Sequence, residues 1–178
     1  MKSLVQISDF FEDEVPGGAE IVDSILRKSL QEDWDVTKVK SSDTKKIHDL
    51  LLSKDEHVFL ISNFVNLDED SKLWLQSKEY FIFEHDHKYL ANRDPSIFEG
   101  YRAPPGFIIN KEFYENATKV FCQSLIHEKV LKENLDIKNT INLGCSLWSE
   151  EELSTLKENL NSSKKSIACI LNSKNKIK

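Results

Sequence analysis

The chain alternates short apolar runs with longer stretches in which apolar residues recur at helical spacing. The short runs predict strands at residues 4–7, 34–39, 58–61, 80–83, 119–122, 140–143 and 167–171. The helical spacing predicts helices over about 19–32, 44–53, 111–117 and 124–134, with a short one opening at Asp68 or Ser71 and a last one after Ser149. We find no internal repeat. This pattern predicts an α/β fold: a Rossmann-like, three-layer α/β/α domain with a mostly parallel sheet of six or seven strands.

The domain organisation follows from the last of these elements. A polar linker over 161–165 separates the helix after Ser149 from the apolar run at 167–171. We therefore expect one domain over 1–161. Residues 162–178 are expected to be a linker and the first strand of a second domain that is missing or truncated.

Composition and charge narrow the class of protein. The 178 residues include 30 acidic and 24 basic side chains, and this net charge of −6 argues against a general nucleic-acid-binding surface. The three cysteines lie far apart without C-x-x-C spacing, so we expect buried, reduced thiols in a cytosolic protein. No run reaches the roughly 18 apolar residues of a spanning helix, and the amino terminus lacks signal-peptide features. The protein is expected to be cytoplasmic, with a peripheral membrane contact left open.

A glycine-containing loop joins the first strand to the first helix, in the stretch Pro16-Gly17-Gly18-Ala19-Glu20. Glycine has no Cβ, so the backbone here can turn sharply and come close to a ligand. The helix that follows presents unpaired N–H groups and the positive end of its dipole, which suits a phosphate, a carboxylate or a sugar hydroxyl. A tight turn that only joins two elements is the alternative, and the dipole alone explains a carboxylate at Glu20.

Three polar segments each follow a predicted strand: the Gly17-Gly18 loop, Ser62-Asn63 and the stretch from Glu84 to His87. In doubly wound parallel sheets, ligands bind beyond the carboxyl ends of the strands. We therefore expect all three segments to open on the same edge and to line one binding cleft.

His85 is the first candidate for a polar contact with a reacting group, because a neutral imidazole can donate to or accept from a hydroxyl. A hydrogen-bonded loop histidine without such a role is the alternative. His85 and His87 have the spacing of metal ligands, but no suitable third ligand is evident, so no metal is expected. Asp86 is placed either to orient His85 or to cap the following segment.

The regular pattern stops between residues 88 and 110. Pro95, Gly100, Pro104, Pro105 and Gly106 interrupt it. Irregular connections of this length are usually functional or disordered, and the aromatic residues of this one favour an ordered, functional loop. Arg93 could bind an anionic ligand through its planar guanidinium, or form a salt bridge with Asp94 or Glu99.

With these features in this order, the chain resembles the amino-terminal Rossmann-like domain of GT-B glycosyltransferases, especially the retaining family 4 type. The loop at 16–20, His85 directly after the fourth strand, and Phe121-Cys122-Gln123-Ser124 are similar to motifs of that family. Asn142-Leu143-Gly144 resembles the stretch before the interdomain hinge. The segment from Ile167 resembles the first strand of the second domain.

The resemblance implies transfer of a sugar from a nucleotide-sugar donor to the hydroxyl of a sugar or glycan acceptor. The nucleotide sugar is then a substrate, and no cofactor is implied. Together with the shared sheet edge, the resemblance predicts a catalytic His85 and substrate-binding Gly17, Gly18, Asn63, Asp86 and Arg93. The second domain of such enzymes binds most of the donor, so the acceptor-side half alone is expected to have little or no activity.

Functions of other classes stay open. A non-catalytic Rossmann-like module that binds a nucleotide or a sugar phosphate is the main alternative. A nucleotide-dependent oxidoreductase is disfavoured, because the G-x-G-x-x-G pattern is absent after the first strand. A DNA-modifying sugar transferase would share the architecture, but the net charge gives it no support.

Overall fold

A computed structural model of the chain describes residues 2–53 and 56–160. The strands are Lys2–Ser8 (β1), Trp34–Lys40 (β2), His57–Ile61 (β3), Tyr80–Glu84 (β4), Lys119–Cys122 (β5) and Thr140–Asn142 (β6). The α-helices are Gly18–Leu30 (α1), Thr44–Leu51 (α2), Glu69–Leu75 (α3), Lys111–Glu115 (α4), Leu125–Leu135 (α5) and Glu150–Leu160 (α6). Each predicted element within these ranges is present, and the predicted strand at 167–171 lies outside them.

The strands form one sheet in the order β2-β1-β3-β4-β5-β6, and every pair of neighbours is parallel. The predicted Rossmann-like α/β fold is therefore confirmed. The chain divides into two units at Leu147, and the sheet belongs to the first. Of the second unit, the structure describes the helix α6 and the residues leading into it. The domain boundary predicted at residue 161 stays a prediction.

The direction of each connection decides which face of the sheet its helix covers. Only the connection from β1 to β2 runs to one side, and all later connections run to the other. Because parallel crossovers are right-handed, α1 lies alone on one face and α2 to α5 lie on the opposite face. The buried core follows this division: Val5 and Ile7 pack with the helices α2 to α5, whereas Leu4 and Leu60 pack with Leu26 of α1.

The face of the sheet that α1 covers also carries a large groove. Its volume is about 1450 Å³, and Phe81, Phe83 and Phe121 contribute to its lining beside the end of α1 at Leu30. Phe83 is buried, while Phe81 and Phe121 are only partly buried. Within residues 2–147 the two faces are therefore covered unequally, with four helices on one and a single helix on the other.

Two further predictions concern the cysteines and the membrane. Cys122 is buried and Cys145 is exposed, and both are free thiols, so the burial predicted for Cys145 is wrong. Cys169 lies outside the described residues. Among the helices that the structure describes, none is long and apolar enough to cross a membrane.

The irregular segment between β4 and α4 is fixed to the rest of the domain at several points. It contains three short 3-10 turns, and an antiparallel bridge joins Leu90 to Ile108. The side chain of Asn134 in α5 accepts from the Ala103 N–H at 2.8 Å and donates to the Tyr101 carbonyl at 2.8 Å. The loop is thus an ordered part of the fold, as its aromatic content predicts.

One carboxylate ties together three loops at the carboxyl end of the sheet. Asp9 directly follows β1 and accepts hydrogen bonds from the Val65 N–H at 2.9 Å and the Asn66 N–H at 3.0 Å. It also accepts from the hydroxyl of Ser41, which follows β2. Asp9 is buried, so water cannot easily replace these three donors at its carboxylate. The loops after β1, β2 and β3 are therefore held at fixed positions relative to one another.

We expect Asp9→Ala to lower the free energy of unfolding by about 2–4 kcal/mol, because a hydrogen bond to a charged group contributes roughly 1.5–3 kcal/mol. Urea denaturation at neutral pH measures this loss. The control is Asp13→Ala in the same loop, whose carboxylate forms an exposed ion pair with Lys38 and should contribute far less. Equal losses in the two variants would contradict the role given to Asp9.

Candidate functional site

The Gly17-Gly18 loop opens α1 as the sequence predicts. Gly17 is the residue before the first helical turn, and it makes no side-chain cap. The carboxylate of Glu20, in the first turn, folds back over this loop: a Cβ added to Gly17 would collide with Glu20 Oε2. No atom lies within 4 Å of a Cβ added to Gly18. The missing side chain at position 17 therefore makes room for the Glu20 carboxylate, and position 18 faces open space.

Asn63 reaches the same loop from the end of β3. Its side-chain Nδ2 donates to Glu20 Oε1 at 3.5 Å. The structure thus brings together three predicted site residues, Gly17, Gly18 and Asn63, with Glu20 as the link between them. Strands β1 and β3 are neighbours whose outgoing connections run in opposite directions, which makes this point the topological switch of the sheet. Ligands of doubly wound sheets bind at such a point.

A polar layer lies between the sheet and residues 23–27 of α1. Arg27 donates to Gln6 Oε1 on β1 at 3.1 Å and forms an ion pair with Glu12 in the loop before the glycines. Ser24 donates to Glu12 Oε1 at 3.0 Å. Burial raises the pKa of Glu12, but its own backbone N–H, Ser24 and the Arg27 charge together hold that pKa below its ordinary value.

Several buried polar atoms on this side of the sheet have no hydrogen-bond partner among the described residues. They are Ser8 Oγ, Ser62 Oγ, Glu12 Oε2 and Asp23 Oδ2. Ser8 ends β1 and Ser62 follows β3, so both hydroxyls lie at the switch point. Buried polar atoms are nearly always paired in folded proteins, with protein groups or with water, so these four atoms remain open to a partner other than the described side chains.

His85 belongs to the same polar layer. Its ring nitrogens contact Asp23 Oδ1 at 2.8 Å and Gln123 Nε2 at 3.0 Å, and its side chain is 6% exposed. An amide nitrogen only donates, so Nδ1 of His85 accepts from Gln123 and Nε2 carries the proton that is donated to Asp23. Both ring nitrogens of His85 are therefore engaged by protein side chains. Its catalytic role stays a prediction.

Asp86 and Arg93 pair with each other, a contact that the sequence analysis does not predict. Asp86 Oδ2 accepts from Arg93 NH1 at 3.1 Å, and its Oδ1 forms an ion pair with Lys88. The alternative in which Asp86 orients His85 is wrong, because Asp23 does so. The alternative of a salt bridge for Arg93 is correct, but its partner is Asp86 and not Asp94 or Glu99. Substrate binding by Asp86 and Arg93 stays a prediction.

A second buried cluster surrounds Glu84, the last residue of β4. Glu84 is fully buried; it accepts from the Tyr114 hydroxyl and from the Asp86 N–H at 3.0 Å, and Lys88 Nζ lies 3.9 Å from its Oε1. Burial raises the pKa of Glu84, but the Lys88 charge and the Tyr114 hydrogen bond outweigh it and lower that pKa. The pKa of Asp86 is lowered in the same way, mainly through Lys88 against the effect of burial.

Two histidines flank this cluster. The rings of His87 and His127 have centroids 4.5 Å apart, and Nδ1 of His87 contacts the Tyr89 hydroxyl at 2.8 Å. Burial lowers the pKa of both histidines. His87 and His85 thus have separate partners. Within residues 2–53 and 56–160, no group of three or more His, Cys, Asp or Glu side chains could hold a metal ion.

The residues that complete the site are those that sequence reasoning missed. Asp23, Gln123 and Lys88 each contact a predicted site residue. Gln123 lies inside the quoted stretch Phe121–Ser124 without having been chosen as a site residue, and Asp23 and Lys88 belong to no motif. Asp23 carries one weak signal: it lies three residues after Glu20, and so on the same side of α1. An acidic pair on one helix side could have marked this surface.

The fold and the site define a class of protein: a doubly wound parallel α/β domain with buried polar side chains at its switch point. No protein-family model and no curated protein sequence matches the chain. The function therefore has to be inferred from the residues described above.

The buried charges around Glu84 make stability depend on pH. The folded-state pKa values of Glu84 and Asp86 are lowered, so their contribution is complete above the ordinary carboxylate pKa and is lost as the pH falls through the folded-state values. We expect Lys88→Met to lower the free energy of unfolding at pH 7 by about 3–5 kcal/mol, because it leaves a buried carboxylate unpaired. Acidification then protonates that carboxylate, so the difference from wild type should shrink.

Urea denaturation between neutral and acidic pH measures this difference. Lys45→Met is the control, since Lys45 pairs with Asp49 on the exposed side of α2. A difference between wild type and Lys88→Met that stays constant with pH would show that Lys88 does not compensate Glu84.

Proposed function

We propose that the chain binds a sugar at the carboxyl edge of its sheet, as the acceptor-side domain of a glycosyltransferase. The reaction class is transfer from a nucleotide-sugar donor to an acceptor hydroxyl. The observation that carries this proposal is the placement of the Glu20 carboxylate and the Asn63 amide over the Gly17-Gly18 loop, at the switch point of the sheet.

The side chains of Glu20 and Asn63 beside the Gly17-Gly18 loop suit hydroxyl groups. A carboxylate accepts hydrogen bonds and an amide both donates and accepts them, which matches the alternating donors and acceptors of a sugar ring. The first turn of α1 adds backbone N–H groups. A phosphate at the same place would have to displace the Glu20 carboxylate, because two negative charges would compete for the helix dipole. A sugar hydroxyl is therefore favoured over a phosphate at this loop.

The burial of His85 supports a second candidate function, a module that binds a sugar or sugar phosphate without transferring it. A contact between His85 and a ligand would replace one of its hydrogen bonds, with Asp23 or with Gln123. In this alternative, His85 positions α1 against the end of β4 and takes no part in chemistry.

Calorimetric titration of the chain with monosaccharides, sugar phosphates and nucleotide sugars tests both functions, with release of nucleoside diphosphate as the measure of turnover. Binding with release supports the transferase. Because the acceptor-side half alone is expected to have little or no activity, binding without release is expected of both functions, and the release assay is then repeated with a longer protein in which a donor-binding domain follows this one. Release by that protein supports the transferase, and binding without release supports the module. If none of these ligands binds, both functions are excluded.

A pair of glycine substitutions tests where the ligand lies. Gly18→Ala should leave stability unchanged, because its Cβ would meet no atom within 4 Å. It should weaken sugar binding about tenfold, which corresponds to about 1.4 kcal/mol, since the methyl group enters the space proposed for the ligand. Gly106→Ala is the matched control, because position 106 is equally open and lies in the loop after β4. Unchanged affinity in Gly18→Ala would remove the loop from the site.

A further inference from the structure

A separate pocket lies on the other side of the loop that follows β3. Its volume is about 680 Å³, within the usual range for small-molecule sites. The charged residues of its lining are Lys72, Lys88, Arg93 and Glu69. Three cations and one carboxylate face this pocket, although the whole chain has a net charge of −6. The lining therefore carries two more cations than carboxylates, while Asp86, outside the lining, pairs with two of those cations.

The two lysines are held in place yet keep unused donors. The Lys72 side chain is 10% exposed; its Nζ donates to Glu69 Oε1 at 2.7 Å and to Asn110 Oδ1 at 3.0 Å. The Lys88 side chain is 2% exposed, and Asp86 is its one hydrogen-bond acceptor among the described residues. An ammonium group has three N–H donors, so at least one stays available on each lysine.

Arg93 stands at the mouth of the pocket with a guanidinium that is 51% exposed. One of its five donors bonds to Asp86 at 3.1 Å, and the planar fork can present others to a bound anion. Its backbone φ of 55° lies in the left-handed region, which is unusual for a long side chain. Such conformations persist where the surrounding structure holds them and are concentrated at ligand sites.

The remaining lining is apolar. Phe64 and Leu90 are buried and form the inner wall, and the ring of Phe64 lies 5.7 Å from Lys88 Nζ. Val65 and Ile109 are exposed large apolar side chains at the mouth. The pocket thus offers cationic donors beside an apolar wall.

We propose that this pocket is a binding site for an anionic ligand with an apolar body, that is, a phosphate or carboxylate group attached to a short hydrocarbon chain or ring. Lys72, Lys88 and Arg93 hold the anionic group, and Phe64, Val65 and Ile109 contact the apolar part. Asp86 lies outside the lining and keeps Lys88 and Arg93 in position. The lining shares no residue with the Gly17-Gly18 loop, but it includes Arg93, for which the sequence analysis predicts substrate binding.

Isothermal titration of the full chain with butyl phosphate tests the proposal. Inorganic phosphate supplies the charge without the apolar body, and butanol supplies the body without the charge. Butyl phosphate should bind at least about tenfold more tightly than either. A lipid headgroup is the other source of the same chemistry, so cosedimentation with phosphatidylcholine vesicles, with and without phosphatidic acid, forms a second arm. Retention only by the acidic vesicles would identify the source as a lipid.

Arg93→Asn should weaken the binding observed in either arm about tenfold. Asparagine tolerates the left-handed backbone at this position, so the variant should keep its thermal midpoint. Arg102→Asn is the control, since Arg102 lies in the same loop, is 70% exposed, and takes no part in the lining.

Lys72→Met provides a second variant that keeps the apolar stem of the side chain and removes the charge. It should weaken binding like Arg93→Asn. The proposal is overturned if neither butyl phosphate nor acidic vesicles bind, or if wild type, Arg93→Asn and Lys72→Met bind them equally.

Discussion

The handedness of the crossover connections is the constraint on which the rest of this structure depends. Because such connections turn one way, the order of the strands places α1 on one face of the sheet and the other helices described within residues 2–147 on the opposite face. The same order makes β1 and β3 neighbours with diverging connections. No helix can cross the carboxyl ends of those two strands, and the gap between their loops is left for ligands. The cleft is thus a consequence of topology before any side chain is considered.

The side of α1 that packs on the sheet makes two kinds of contact, apolar and polar. Val22, Leu26 and Leu30 pack in the apolar manner of an ordinary helix. One position further along each turn, Asp23 and Arg27 are buried and hydrogen-bonded instead. Buried ion pairs contribute little net stability, since removing charges from water costs about as much as their attraction returns. Their effect here is positional: Arg27 holds the loop that precedes the glycines, and Asp23 holds the end of β4.

Much of the fold could be predicted from local patterns. The apolar runs identified every described strand. Asp68 and Ser149, named as helix starts, cap α3 and α6 through side-chain hydrogen bonds. The edge of the sheet that carries the site followed from the rule that loops after parallel strands share one side. The strand order did not follow, because runs apolar on both faces carry no information about their neighbours.

The partners within the site were harder to predict, because they lie far apart along the chain. Asn63 and Glu20 are separated by 43 residues, and His85 and Asp23 by 62. Side-chain contacts at that separation depend on how the elements pack, and a single sequence does not record it. Asp86 was adjacent to His85 in sequence, but its neighbours in space are Lys88 and Arg93. Proximity along a loop was therefore a poor guide to pairing.

Any side chain at position 17 would collide with Glu20, so positions 17 and 20 restrict each other's substitutions. The two positions share one small volume, so a change at either alters what the other tolerates. An alanine at 17 is compatible with the fold once residue 20 is shorter or turned away, because Glu20 is a flexible side chain with an end that can move. In related chains, positions 17 and 20 should accordingly vary together: glycine with glutamate, and larger residues at 17 with smaller ones at 20. Such paired variation would indicate that the residues at positions 17 and 20 are in contact in the related chains as well.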